Sequence, residues 1–216
     1  MMKRRIVVLS VGVMLLFGFT TLTGESGFGI TVQTGTLGIG AELVKSIRSD
    51  LNIRLGGNFF SYGLEETNND IKYDATLKLL SVSLLLDWHG PPAGFFLSGG
   101  AYINSNKLEA SGLSTKSYFV GTYEYAEEEI GTLNMDIDFS IVSPYLGLGW
   151  GNAIKKNSTV GFVFNLGLLY HGAPKVIMST DSDLMQPTTE QASTVEDNIK
   201  DMQLYPVMSF GLSFSF

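Results

Sequence analysis

The 216-residue chain has no cysteine. That absence excludes a disulfide framework, thiol catalysis and a cysteine-linked lipid anchor at the N-terminus. Charged residues make up only 16% of it, where a soluble domain usually carries about a quarter. Cations are scarcer still. Of 14 Lys and Arg, Lys3, Arg4 and Arg5 stand at the very start, leaving eleven against 21 acids, a balance of about −10. Nucleic-acid binding needs grouped cations to neutralise phosphates, and no such group exists. Beyond the first twenty-odd positions there is no run of ~18 apolar residues, so helical membrane spans are excluded. The two histidines, His89 and His171, have no partner at metal-ligand spacing, and no metal or cofactor is expected.

The basic start leads into an apolar stretch, residues 6–19, interrupted only by Ser10, Gly12 and Gly18. Small residues follow at 20–24. This is the pattern of a secretory signal peptide. An uncleaved anchor is the competing reading, but the stretch is short of the ~20 residues that a spanning helix needs. The expected organisation is a signal at 1–24 and one domain at 25–216.

What the chain has in plenty is glycine, at 25 residues, and aromatics, at 12%. Apolar residues alternate with small or polar ones in seven segments, the period of a β-strand. Leu37, Ile39, Ala41 and Leu43 alternate with Gly38, Gly40 and Glu42. Leu51, Ile53, Leu55 and Phe59 alternate with Asn52, Arg54, Gly56 and Asn58. The other five segments fall near residues 80–88, 95–104, 142–150, 160–170 and 204–216. In a soluble barrel the polar face would meet water and carry many lysines and glutamates. Here it is mostly Gly, Ser and Asn, which suits a narrow interior, while the Leu, Ile, Val and Phe face suits lipid. Phe59, Trp88, Phe95, Trp150, Tyr170 and Phe216 near segment ends match the aromatic girdles of a membrane barrel.

Connections alternate between short (46–50, 89–94, 151–158) and long (63–72, 107–134, 173–203). Membrane barrels have short periplasmic turns, long extracellular loops and an even strand count. An eighth strand must therefore precede residues 36–45, and 27–33 is the candidate, although it is short for a span. Placing it at 174–180 would turn the long loops inward. The predicted fold is all-β: a closed antiparallel up-and-down transmembrane barrel of eight strands. The acids cluster in the long connections and read as solvated loop. Residues 117–122 and 123–127 are expected to pair as a hairpin, and 189–202, after Pro187, to form a short helix capped by Thr188 or Thr189.

The final strand, Tyr205 to Phe216 with Phe210 and Phe214, ends on phenylalanine and resembles the C-terminal strand of outer-membrane proteins. Residues 36–43 and 52–56 resemble a hairpin of the small OmpA/OmpW/opacity-type barrels. Asp87-Trp88-His89 and residues 144–151 are similar to strand ends of that group. The resemblance implies a bacterial outer-membrane location without a periplasmic domain. It also implies contact with outer-membrane lipid, and assembly by machinery that reads Tyr205, Phe210, Phe214 and Phe216.

Little chemistry is encoded. With the first turn centred on Arg48, Glu42 and Arg54 oppose each other on the lumen side, where a paired carboxylate and guanidinium offset much of their burial cost. Exchanging the two is then expected to preserve the barrel. Asn58, Asp87, Asn104 and Asn165 are the further lumen polar residues. Gly38, Gly40, Gly147, Gly149 and Gly151 lack the Lys-Ser and helix of a phosphate loop and read as close packing. The expected function is non-enzymatic: a structural or weakly permeable barrel with acidic extracellular loops. The alternatives are a barrel that binds or transports a small solute or apolar molecule, and a lipid-modifying enzyme using His171 with Ser179, Asp181 or Ser182.

Overall fold

A computed structural model describes residues 27–216 except 69, 92, 115, 117, 121–122, 126–130, 155–158, 183–186 and 188. The expected signal segment and its cleavage point lie outside the described residues. In chain order the elements are β1 (Phe28–Gly35), β2 (Gly38–Arg48), β3 (Leu51–Asn68), β4 (Ile71–His89), β5 (Phe95–Asn104), β6 (Lys107–Ser114), β7 (Tyr118–Val120), β8 (Tyr123–Tyr125), β9 (Thr132–Asp138), β10 (Val142–Gly151), β11 (Val160–Tyr170), β12 (Lys175–Thr180), α1 (Thr189–Ile199) and β13 (Leu204–Ser215).

Eight strands close into a ring in the order β1-β2-β3-β4-β5-β10-β11-β13, with β13 returning to β1. All neighbours are antiparallel. The short segment expected at 27–33 is the closing strand: Ile30 lies opposite both Leu43 and Phe214, and Val32 opposite both Ala41 and Leu212. Closure leaves no open edge within the ring, which a backbone in lipid requires. The hairpin expected at 117–127 is present as β7 and β8, and the expected helix as α1.

The side-chain alternation is inside-out relative to a soluble protein. Ile39, Leu43, Leu55, Leu84, Leu148, Phe162 and their neighbours point outward and are exposed, whereas Glu42, Arg54, Asn58, Asp87, Ser98 and Asn165 are buried. The six aromatics expected at segment ends are all exposed on the outer face. An apolar belt of this extent facing water would be unstable, and lipid is the solvent that suits it.

The long connections are less irregular than the sequence suggests. β3 and β4 have 18 and 19 residues and run far past the ring as one hairpin. β6 continues β5, β9 leads into β10, and both keep the register of the barrel below (Ile103 opposite Val142, Lys107 opposite Asp138). β12, at the position rejected for the eighth strand, pairs only with β9 in this upper sheet. A five-stranded palisade, β3-β4-β6-β9-β12, therefore stands over one side of the barrel. On the other side the wall ends at the tight Thr36-Leu37 turn between β1 and β2.

Along the β3–β4 hairpin the two faces exchange polarity. Outward pairs run Leu55–Leu84, Gly57–Val82 and Phe59–Leu80, then become Ser61–Lys78, Gly63–Thr76 and Glu65–Asp74. Inward pairs run Gly56–Ser83 and Asn58–Ser81, then become Phe60–Leu79, Tyr62–Leu77 and Leu64–Ala75. The inversion marks where lipid gives way to water. From Leu51, opposite Trp88, to Phe59, opposite Leu80, the belt takes up about nine residues, the length a tilted spanning strand needs. This corrects the reading of 63–72 as loop. Glu65, Glu66 and Asp74 sit on strands, and the acids were mistaken for loop because the apolar face had switched sides.

Leu37 departs from the lipid face on which its alternation placed it. It belongs to the turn, folds inward and is buried against Leu85, Tyr102, Tyr145, Leu169 and Val207.

Candidate functional site

The lumen is filled by side chains. Its centre is Arg54, projecting inward from β3 and buried (2% exposed). Arg54 Nη1 donates to Glu42 Oε2 at 3.0 Å, and Nε lies 2.7 Å from Asp87 Oδ2. Nη2 donates to Ser98 Oγ at 2.9 Å, and Ser98 Oγ in turn donates to Asp87 Oδ1 at 2.8 Å. One guanidinium thus serves two carboxylates and a hydroxyl, and its central carbon lies over the Phe96 ring, 5.6 Å from the centroid. Guanidinium suits this role because its forked donors are fixed in one plane.

The network continues around the wall. Gln33 Nε2 donates to Glu42 Oε1 and to Asn58 Oδ1, both at 3.1 Å. Ser209 Oγ donates to Gln33 Oε1, and Asn165 Nδ2 donates to Ser209 Oγ, again at 3.1 Å. Seven of the eight ring strands contribute a member. β10 instead contributes Tyr145 and the bare surface of Gly147 and Gly149. A Cβ on Gly149 would fall on the Phe96 ring, and one on Gly147 or Gly167 on the Tyr145 ring. These glycines make room for the two large inward aromatics, which is the close packing the sequence suggested.

Apolar residues close the lumen on both sides of the polar layer. Toward the palisade lie Leu37, Leu85, Tyr102, Tyr145, Leu169 and Val207. Toward the short turns lie Val44, Phe96, Ala153 and Val163. A cavity of about 10 Å³ lies between Gln33, Asn58, Tyr102 and Ser209, room for about one water.

Of the residues singled out by sequence, Glu42, Arg54, Asn58, Asp87 and Asn165 all join this network. Asn104 is buried elsewhere, donating to Ser143 Oγ at 2.6 Å and to the Ser140 carbonyl. The Glu42–Arg54 geometry needs a correction. Glu42 lies opposite Gly56, and Arg54 opposite Val44, so the ion pair is diagonal. The strands extend to Arg48 and Leu51, a bulge falls between Ser46 and Arg48, and Arg48 pairs with Asp50 in the turn. This moves the hairpin centre one residue beyond Arg48. Asp87 also alters the expectation for exchanging the pair: a carboxylate at position 54 would face Asp87.

Sequence reasoning missed Gln33, Ser98, Ser209 and Phe96. Gln33, in the short first strand, and Ser98, among other small residues, carry no signal of their own. Phe96 has the parity of the lumen face, and Gly149 opposite it in register was the available clue.

Tyr205 faces inward, and its hydroxyl donates to the Thr36 carbonyl at 2.7 Å. Phe210 and Phe216 point outward. Phe214 is half-buried, paired between Ile30 and Val160. His89 ends β4, 3.0 Å from Asn52 Nδ2. His171 is buried, its ring 4.2 Å from that of Phe139 and edge-on to Tyr205. Ser179 sits on β12 opposite Asn134. Among the described residues no group of three or more His, Asp or Glu could hold a metal ion.

No protein-family model and no curated protein matches the chain. Crystal structures of two Acinetobacter baumannii proteins do. CarO2 is 18% identical with a TM-score of 0.58, over 88% of this chain and 98% of its own. CarO is 19% identical with a TM-score of 0.56, over 87% and 97%. At that identity the likeness is one of fold: this chain has the fold of a small, closed membrane β-barrel.

Proposed function

We propose that the chain is an integral barrel of the bacterial outer membrane, non-enzymatic and structural or at most weakly permeable, with its palisade outside the cell. The apolar belt supports lipid as its surroundings, and the alternation of short turns with long extensions supports the orientation. The observation that carries the permeability reading is the Arg54-centred network, which spans the lumen between two apolar layers. Tyr205, Phe210, Phe214 and Phe216 on the last strand are the residues offered to the assembly machinery. Planar-bilayer recording of the purified chain tests the reading. The expected result is a baseline without steady conductance steps, with steps emerging in Arg54→Ala. Stable large steps in the unaltered protein would overturn it.

A second reading, binding of a small apolar molecule, is favoured by one observation. The lumen-side face of the palisade exposes Tyr62, Leu64, Tyr73 and Leu133 above the closed mouth. Enhancement of an environment-sensitive apolar dye, lost in Tyr62→Ser with Leu64→Ser, would support it. Equal enhancement in the double variant would remove it.

A further inference from the structure

The outer wall carries a groove that crosses the polarity inversion. It is an open depression of about 650 Å³ where β3 and β4 leave the ring. Its lining changes in a fixed order along the strands. Phe59 and Leu80 form the end inside the apolar belt. Ser61 and Lys78 come next, one outward pair higher. Glu65 and Asp74 form the far end, two outward pairs beyond Lys78. A second groove of about 470 Å³ shares Asp74 and Thr76 and extends the acidic end along Glu109 and Asp136.

Read outward from the membrane, the wall is apolar, then cationic, then anionic. Lys78 is half exposed. It already donates to Glu109 at 2.6 Å, and its ammonium has further N–H donors to offer. Lys107, directly opposite Lys78, lies among Glu109, Asp136 and Asp138 at 3.4–4.0 Å. Above the two lysines the acids Glu65, Asp74, Glu109 and Asp136 precede the next cation on this face, Lys72 opposite Thr67. A purely anionic head would meet Lys78 and then repulsion. A head with phosphate next to the chains and a primary amine beyond it meets the opposite charge at each level.

We propose that this groove is a lipid site, and that its occupant is a lipid with a phosphoethanolamine head. The acyl chain lies against Phe59 and Leu80, the phosphate is held by Lys78 and Ser61, and the ammonium faces Glu65 and Asp74. The inference rests on the membrane-barrel reading, since the groove is continuous with the belt that lipid covers.

Native mass spectrometry of the full chain, released from micelles doped with single lipids, tests it. The probes are phosphatidylethanolamine, phosphatidylglycerol and phosphatidylcholine with identical chains. The expected result is one phosphatidylethanolamine retained about threefold or more over the other two, since exposed charge pairs each contribute modestly. Lys78→Ala should lower the retention of all three lipids, by loss of the phosphate contact they share. Glu65→Gln with Asp74→Asn should remove the preference by loss of the amine contact. Equal retention of the three lipids, unchanged retention in Lys78→Ala, or a preference that survives Glu65→Gln with Asp74→Asn overturns the proposal. Heat-modifiable gel migration of each variant separates the two levels. A variant that keeps the shift but loses retention or selectivity reports on the groove, whereas absence of the shift in the unaltered protein would mean that the barrel reading itself has failed.

Discussion

Removing the cation at the centre of the lumen should cost the barrel a large part of its stability. Arg54→Met keeps most of the side-chain volume and the contact with Phe96, so its effect isolates charge and hydrogen bonding. It leaves Glu42 and Asp87, both buried, as two carboxylates without a counter-charge. Breaking a buried pair from one side costs about 3–5 kcal/mol. With a urea slope of about 2 kcal/mol per molar, the unfolding midpoint should fall by about 2 M. The triple variant Glu42→Gln, Arg54→Met and Asp87→Asn removes all three charges. It keeps the oxygens that accept from Gln33 and Ser98, and so should recover most of the loss, because a neutral replacement of similar shape avoids the unpaired charge. The assay is urea unfolding of protein refolded in lipid vesicles, followed by gel migration without heating. The reasoning is refuted if Arg54→Met lies within about 0.5 kcal/mol of wild type, a change ordinary for surface sites. It is also refuted if the triple variant is no more stable than the single one.

Three further outcomes follow from the same packing. Gly149→Val pushes a branched side chain onto the Phe96 ring and should cost about 1–3 kcal/mol, read as a lower urea midpoint. Tyr205→Phe deletes the bond to the Thr36 carbonyl, which ties β13 to the β1–β2 turn at the ring closure, and should cost about 0.5–1.5 kcal/mol in the same assay. Burial lowers the pKa of His171 below its ordinary 6.5. The unfolded chain therefore takes up the proton first, so stability is complete above pH 6.5 and declines as pH falls from there toward the folded value. The urea midpoint between pH 8 and pH 5 should drop in wild type, and His171→Phe should flatten that drop.

The ring was legible in the sequence because a two-residue period assigns each side chain to one of two faces. Along residues 80–88 and 142–150 nothing competes with that signal. Residues 27–33 were harder, and strand parity rather than the short segment itself pointed to them. The palisade was not legible for a physical reason. Its strands keep the period but reverse its phase at Phe59–Leu80, so that Glu65 and Asp74 take the side held below by leucines. Acids beside an apolar stretch look like a loop until the partner strand shows the same reversal. In the lumen, Arg54 and Glu42 were visible as rare charges on the small-residue face. Their diagonal contact was not, because it depends on a bulge at Ser46–Arg48 and a turn held by Arg48 and Asp50. Asp87 was seen as a lumen polar residue, but its place as third member required three strands to be placed at once.

The protein contains two tryptophans, Trp88 and Trp150, both exposed on the outer face and both toward the short-turn end of the ring. Fluorescence quenching by brominated phospholipids in reconstituted vesicles therefore asks directly whether that face touches lipid. Most of the emission should be lost, more with bromines near the headgroup than near the chain ends, while aqueous acrylamide quenches weakly. Full emission in brominated lipid together with efficient quenching by acrylamide would contradict the account, because the outward leucines and phenylalanines would then have no solvent that suits them.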